Sequence, residues 1–345
     1  MKNINFKSIL VTGGSGFIGT NLVKYLLKFK NYKVYNIDCI KYCSVPETIK
    51  NINNKNYFNI KANISNIKKL DRIIHKIKPN YVFHLAANSH VDRSIENPLR
   101  FINENIKATS SLYYVLSKFM DKKNSYLKKI IYLSTDEVYG SVKKPSKEDR
   151  ILNPNSPYSA SKAATDLISR SFLKTYNLPI IISRASNNFG PYQFSEKFIP
   201  NVISKFLKNE KIDIYGNGKN IREWIYVEET CKALKFIMDR GKIGEVYNIG
   251  SKYRLTNIEL FKFLETEMSK LEKIQTNNYR FVKDRPGHDL KYLLNSKKIE
   301  NMGLKLNFNL KKSIKKTILW YLTSNAWLKH CENIYQGQRI GLKRK

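Results

Sequence analysis

The sequence predicts an α/β fold, a parallel sheet with helices on both faces plus a smaller, largely C-terminal second domain. Three observations carry that reading. Apolar segments of strand length alternate with amphipathic segments of helical length over the first half of the chain. A glycine-rich turn lies between the first apolar segment and the first amphipathic one. After about Ala185 the rhythm breaks into Pro, Gly and polar segments and then briefly returns, so the second domain is expected to interleave with the sheet.

Strands are expected, in order, in "SILVTGG" (Ser8–Gly14), "KVYNID" (Lys33–Asp38), "YVFHLAA" (Tyr81–Ala87), "KIIYLST" (Lys129–Thr135) and "PIIISRA" (Pro179–Ala185), with "EVYNIG" (Glu245–Gly250) returning later. Near-continuous apolar runs suit parallel strands covered on both faces. Helices are expected over Asn21 to Phe29, Ile67 to Ile77, Asn103 to Met120 and Ser159 to Tyr176, which are amphipathic. The segment "NINNKNYFN" (Asn51–Asn59) reads as a polar connection. The expected division is residues 1–184 for the sheet domain, with returning segments near 221–250, and residues 185–345 mainly for the second domain.

With 345 residues, 42% of them hydrophobic, the chain can bury a full core. It contains no run of about eighteen apolar residues of the kind a membrane span needs. Nor does an apolar signal segment precede the first glycines, so a soluble, cytoplasmic protein without a membrane partner is expected. Cys39, Cys43, Cys231 and Cys331 lack paired C-x-x-C spacing; they read as buried or incidental thiols, and no metal site is expected. A net charge of +34 would suit a nucleic-acid partner, but lysine outnumbers arginine and is scattered along the chain. Compositional drift accounts for it better, and no nucleic-acid partner is expected. Such a surface would still draw in anionic substrates. The terminal "LKRK" is too short to be more than a solvated end.

"VTGGSGFIGTNLV" holds Gly14-x-Gly16-x-x-Gly19 and, overlapping it, Gly13-x-x-Gly16-x-x-Gly19. Between strand and helix, such glycines permit a tight turn and a close backbone approach, while the helix N-terminus offers free N–H groups and positive dipole to a pyrophosphate. Asp38 closes the next strand nineteen residues after Gly19, where a carboxylate can accept hydrogen bonds from ribose hydroxyls. It would repel a 2′-phosphate, which favours NAD over NADP; the nearby Lys41 leaves NADP open. The plain alternative is a turn that only packs helix on strand.

Thr135, Asp136 and Glu137 would emerge at the carboxyl end of a strand, where ligands of parallel sheets bind. The plain alternative makes Asp136 a turn cap and Glu137 a solvated acid. Tyr158 and Lys162 stand four apart at the start of a helix and share a face. An ammonium beside a phenol lowers the phenol pKa, so Tyr158 could act as a base near neutral pH. Downstream of a dinucleotide loop, the pair points to oxidation of a hydroxyl to a carbonyl by NAD.

"GGSGFIG", "STDEVYG" and "YSASK" resemble the extended short-chain dehydrogenase/reductase family. With "HLAANSHVDRSI", "RASNNFGPYQFSEKFIP", "YGNGKNIREWIYVEE", "YNIGS" and "DRPGHDLKY", the chain closely resembles the dTDP-glucose 4,6-dehydratases within it, from Ile9 to about Leu342. The resemblance implies a Rossmann-type NAD-binding domain, a nucleotide-sugar-binding domain, and conversion of dTDP-glucose to a 4-keto-6-deoxy sugar for deoxysugar synthesis. Tyr158, assisted by Thr135 and Lys162, would take the 4-hydroxyl proton while hydride passes to NAD. Glu137 would remove the C5 proton, and a protonated Asp136 would donate to the departing C6 hydroxyl, before the hydride returns to C6. Two neighbouring carboxyls suit opposite protonation states, because repulsion and burial raise the pKa of one.

The resemblance also implies binding roles. Phe17 and Ile18 would border the pyrophosphate, Asn63 and Ile64 the adenine end, and Leu85, Ala86, Ala87 and Ser89 the junction of dinucleotide and sugar. Asn105 would lie on the nicotinamide side, Asn187 would face substrate and Asn188 the cofactor. Lys197, Arg222, Asn257, Arg285 and His288 would hold the nucleoside diphosphate. His84 and His90 are expected to pack or support. Asn63 stands where similar sequences carry aspartate, and Asn88 replaces the glutamate of "LAAES"; an amide can still hydrogen-bond in both places. The helices at Asn103 to Met120 and Ser159 to Tyr176 would pair across a two-fold axis into a four-helix homodimer interface. Alternatives are UDP-glucose as substrate, a nucleotide-sugar 4-epimerase, and a non-catalytic NAD- or nucleic-acid-binding protein.

Overall fold

The structure is a computed structural model that describes residues 6–44, 52–120 and 126–341. Strands β1 (Lys7–Thr12), β2 (Tyr32–Asp38), β3 (Tyr57–Lys61), β4 (Tyr81–His84), β5 (Lys129–Thr135) and β6 (Ile180–Ala185) follow in chain order. Then come β7 (Asn187–Phe189), β8 (Ile212–Tyr215), β9 (Ile221–Tyr226), β10 (Val246–Ile249), β11 (Arg254–Thr256) and β12 (Tyr279–Val282). The main sheet has the order β10-β6-β5-β4-β1-β2-β3, and every adjacent pair in it is parallel. The order reverses between β1 and β4, so the chain winds outward in both directions from that point and leaves a crevice beyond the strand ends.

Helices cover both faces of this sheet because its strands are apolar on both. Leu22, Val23 and Leu26 of helix Phe17–Leu26 meet Leu234 and Ile237 of helix Val227–Arg240 over one face. Leu70 and Ile74 of helix Ile67–Ile77 join Leu112 and Leu116 of helix Pro98–Met120 over the other. Each such side chain contributes about 1.5–3 kcal/mol by leaving water. A further core, with Phe206, Phe261, Leu264, Ile314 and Ile318, lies among the helices and the two small sheets of the second half, β11-β9-β7 and β12-β8. Only Ser186 separates β6 from β7, so the chain passes from the main sheet to a small one within a residue, and β10 later returns beside β6.

Several boundaries differ from the sequence reading. The supposed connection at 51–59 contains the start of β3, apart from Asn51, which lies outside the described residues. That strand sits at the sheet edge, half-exposed to exposed along its length, and so has no apolar run to announce it. The first helix begins at Phe17, four residues before Asn21, because Gly16 is already its N-cap. The helix expected from Asn103 starts at Pro98, and Ser156 opens the helix Pro157–Tyr176 with a capping box to Ser159. Residues 342–345, the "LKRK" end, lie outside the described residues. All four cysteines are free, Cys231 and Cys331 buried and Cys39 and Cys43 partly so. Among the described residues, no helix is long and apolar enough to cross a membrane, and no group of three or more His, Cys, Asp or Glu is placed to hold a metal ion.

Candidate active site

The crevice between β1 and β4 opens into a cleft of about 380 Å³. The glycine turn forms its floor. Gly13 has φ +74 and lies so close to Ala86 that an added Cβ would stand 2.7 Å from the Ala86 backbone. A Cβ on Gly19 would strike the Gly13 carbonyl, so this glycine lets the helix sit against the turn. A Cβ on Gly16 would meet only that carbonyl, at 3.4 Å, with open cleft otherwise. No side chain caps the helix that begins there, so the amides of its first turn face the cleft. At the end of β2, Asp38 is buried and accepts from the amides of Ser15 (3.0 Å) and Ile40 (2.8 Å). Burial raises its carboxyl pKa while those two bonds oppose the rise. A glycine cradle, an uncapped helix start and an acid at the next strand end fit a dinucleotide. Every residue expected to hold one, from Gly13 to Asn188, lines this cleft.

Not all of these residues present a free group. Asn105 accepts from the Asn88 amide at 2.7 Å and donates to the Asn88 carbonyl and to Ser161, so it braces the loop after β4 from within. Asn63 accepts from the Ser65 amide at 2.9 Å and closes its own turn. A carboxylate stands beside this loop all the same, because Glu104 lies against the Asn88 side-chain amide and Lys41. His84 is held between Thr12 (2.7 Å) and Thr109 (3.0 Å), and burial pushes its pKa down to about 3. His90 caps the helix Val91–Glu96, and burial pushes it down to about 4. Both are neutral supports.

Thr135 ends β5, and a single 3-10 turn, Asp136–Tyr139, follows it. The Thr135 hydroxyl donates to Asp136 Oδ1 (3.1 Å) and accepts from the Glu137 amide (3.3 Å), which sets the two acids side by side at the cleft wall. Their environments differ. Burial, then the charges of Glu137 and Glu223, push Asp136 well above the usual carboxyl range. Burial also raises Glu137, but there the charges of Arg285, Arg222 and Lys197 oppose it. Among the described residues, Ser134 Oγ, Asp136 Oδ2, Glu137 Oε2, Ser186 Oγ and Asn187 Oδ1 are buried without a hydrogen-bond partner. Each such group costs about 1–3 kcal/mol, so a set of them around one cleft marks polar atoms kept for a ligand.

The Tyr158 and Lys162 pair departs from expectation. Both line the cleft, but the Lys162 ammonium donates to the Leu133 carbonyl at 2.8 Å and stands over the Tyr132 ring. Burial lowers Lys162 to about 7. The Tyr158 phenol is pushed up, by burial first and then by the charges of Glu137 and Asp136, with the Thr135 hydroxyl opposing. A shared helix face therefore does not by itself activate the phenol; the lysine reaches a strand carbonyl instead.

A second cleft, of about 210 Å³, opens from the first and shares Glu137, Asn187, Asn188, Gln193, Glu196 and Lys197 with it. Arg222, Asn257, Arg285 and His288 line it, while Ser89 and Thr135 line the first cleft. Lys197 donates to the Ser89 carbonyl at 2.7 Å. Arg222 donates to the Asp289 carbonyl (2.9 Å) and lies 4.2 Å over the Tyr292 ring. Arg285 pairs with Asp92 at 3.0 Å. His288 faces Asp284 at 2.6 Å, and burial and the two arginines lower its pKa to about 4. Asn257 is the first residue of helix Asn257–Met268. Basic and helix-start groups thus converge on one end of a continuous cleft, with the acid pair at its middle and the glycine turn at the other end. Sequence reasoning missed Asp92, which holds Arg285, Tyr215, which donates to Asp92 and faces His288, and Glu196, which lines both clefts and pairs with Arg93. Asp92 accepts from both Arg285 and Tyr215 across more than a hundred residues, a relation without any local pattern.

A family model described as GDP-mannose 4,6 dehydratase matches residues 10–318. A protein of Sinorhizobium fredii named "Probable dTDP-glucose 4,6-dehydratase" is 38% identical over 348 residues, covering 98% of this chain and 99% of that protein. The dTDP-glucose 4,6-dehydratase of Salmonella typhimurium is 38% identical over 349 residues, covering 94% and 95%. Among solved structures, that of dTDP-glucose 4,6-dehydratase from Bacillus anthracis in complex with NAD is similar with a TM-score of 0.85 and 34% identity, over 94% of this chain and 99% of that one.

Proposed function

The chain belongs to the GDP-mannose 4,6 dehydratase family, and from that premise we propose that it is an NAD-dependent dTDP-glucose 4,6-dehydratase, a hydro-lyase. The unequal pair Asp136 and Glu137 carries the reading: two adjacent carboxyls at one cleft wall, one pushed well above the usual carboxyl range by burial and the other facing three cations that oppose that rise. A single acid could not donate and accept a proton in the same elimination.

Bound in the glycine cradle, NAD would take the C4 hydride and later return it to C6, so that the reaction has no net redox change. Tyr158, as the phenolate and assisted by the Thr135 hydroxyl and by Lys162 in the same cleft, accepts the proton of the 4-hydroxyl. The 4-ketone so formed acidifies C5–H, and Glu137 takes that proton. Asp136 gives its proton to the C6 oxygen, the C6–O bond breaks, and water leaves. A proton then returns to C5. Lys197, Arg222, Asn257, Arg285 and His288 hold the nucleoside diphosphate in the second cleft. The same reading divides the chain near residue 184, with the dinucleotide side before it and the nucleotide-sugar side mainly after. It also includes a homodimer, supported by Leu99, Ile102 and Tyr114 on helix Pro98–Met120 and Leu167 on helix Pro157–Tyr176, all exposed.

The test is incubation of the purified protein with dTDP-glucose and UDP-glucose in parallel, followed by mass measurement. Loss of water from dTDP-glucose supports the reading. Preferential turnover of UDP-glucose would move the base to uracil, and a product of unchanged mass would move the activity to epimerisation.

A further inference from the structure

Lys41 stands three residues after Asp38, on the turn that closes the ribose end of the first cleft. That turn is held firmly. Ser44 N donates to the Lys41 carbonyl at 2.9 Å, and Ser44 Oγ reaches Asp38 Oδ1 at 3.4 Å. The neighbouring Tyr42 donates to Glu196 at 2.8 Å, under an Arg93 guanidinium 4.2 Å from its ring. A lysine fixed there, a compact charge with three donors, is placed to be the counter-ion of a 2′-phosphate.

Its ammonium is engaged elsewhere. Lys41 pairs with Glu104 and donates to Asn88 Oδ1 at 3.1 Å. Glu104 comes from helix Pro98–Met120 and is itself held by the Asn88 amide and by Arg100, at 3.2 Å one turn earlier. Asp38, Lys41, Asn88 and Glu104 all line the one cleft. Resting on the NAD reading above, we infer that Glu104 is a specificity-determining residue: it withdraws from a 2′-phosphate the one cation that this turn offers among the described residues. Asp38 repels that phosphate, and Glu104 removes its counter-ion. The Lys41 and Glu104 side chains are 30% and 37% exposed, so solvent screens the pair and the effect is a graded bias.

The test compares wild-type protein, Glu104→Gln, and the double variant Glu104→Gln with Lys41→Ala. Each is incubated with a large equimolar excess of NAD and NADP until exchange stops and is then desalted, and the released dinucleotides are quantified by mass. The bound NADP to NAD ratio is expected to rise about three- to tenfold in Glu104→Gln. In the double variant it returns to within about twofold of wild type. An unchanged ratio in Glu104→Gln overturns the inference, as does a rise that survives the loss of Lys41. Should Glu104→Gln fail to fold, as judged by thermal melting, Lys41→Gln carries the test. There the unpaired Glu104 lowers the ratio, and an unchanged or higher ratio overturns the inference. Wild-type protein that binds neither dinucleotide would instead refute the cofactor reading beneath it.

Discussion

The Lys162 ammonium lies 2.8 Å from the Leu133 carbonyl, inside the sheet, although Tyr158 occupies the same face of its helix one turn earlier. A buried lysine with a pKa near 7 binds fewer protons when folded than unfolded between about pH 7 and its ordinary value near 10.5. The stability of the chain therefore rises with pH in that window through this group, by about 1.4 kcal/mol per pH unit, and its full cost is felt below pH 7. Lys162→Met should raise the melting temperature at about pH 6.5 and raise it less at about pH 9, while turnover is lost. A melting shift that grows with pH would contradict the burial argument.

Glu137→Gln removes the base for C5 but leaves Tyr158 in place. We expect turnover to fall by about a hundred- to ten-thousandfold. Substrate should still reduce the bound cofactor, so the reduced-nicotinamide absorbance should persist after mixing. Tyr158→Phe should show a comparable loss without that absorbance. Full turnover by Glu137→Gln would mean that the base has been misassigned.

Gly16 and Gly19 have different tasks despite their shared motif. Gly19→Ala drives a Cβ into the Gly13 carbonyl and should destabilise the fold by about 1–3 kcal/mol, read by urea denaturation. Gly16→Ala adds a methyl that meets protein only at 3.4 Å, so stability should change little while bound dinucleotide is lost. Equal destabilisation by both would show that the turn serves packing alone.

Leu99 and Leu167 are 69% and 58% exposed on two long helices that pack against each other. Sedimentation at micromolar concentration should give a dimer for the wild type and a monomer for Leu99→Glu with Leu167→Glu. A wild-type monomer would remove the four-helix interface from the proposal.

Much of the fold was legible because parallel strands covered on both faces are rich in apolar residues, and β1, β2, β4, β5, β6 and β10 each carry a buried apolar stretch. Strand β3 was not, since its half-exposed edge position demands no apolar run. In the site, a motif was readable wherever one short stretch does the whole task, as with Gly13 to Gly19 or Thr135 to Glu137. Asp92, Glu104 and Glu196 were silent, because Arg285, Lys41 and Arg93, which they pair with, lie far from them along the chain.

The sequence by itself determined six strands of the main sheet and four of the helices that cover it, the glycine turn with Asp38 beyond it, and the presence of two consecutive acids at a strand end. Those features depend on neighbours along the chain. The tertiary structure alone decided that Lys162 turns to Leu133, that Glu104 takes Lys41, and that three cations from distant segments surround Glu137 but not equally Asp136. Burial and the placement of charges in three dimensions set protonation and pairing, and neither quantity is encoded in spacing along a chain.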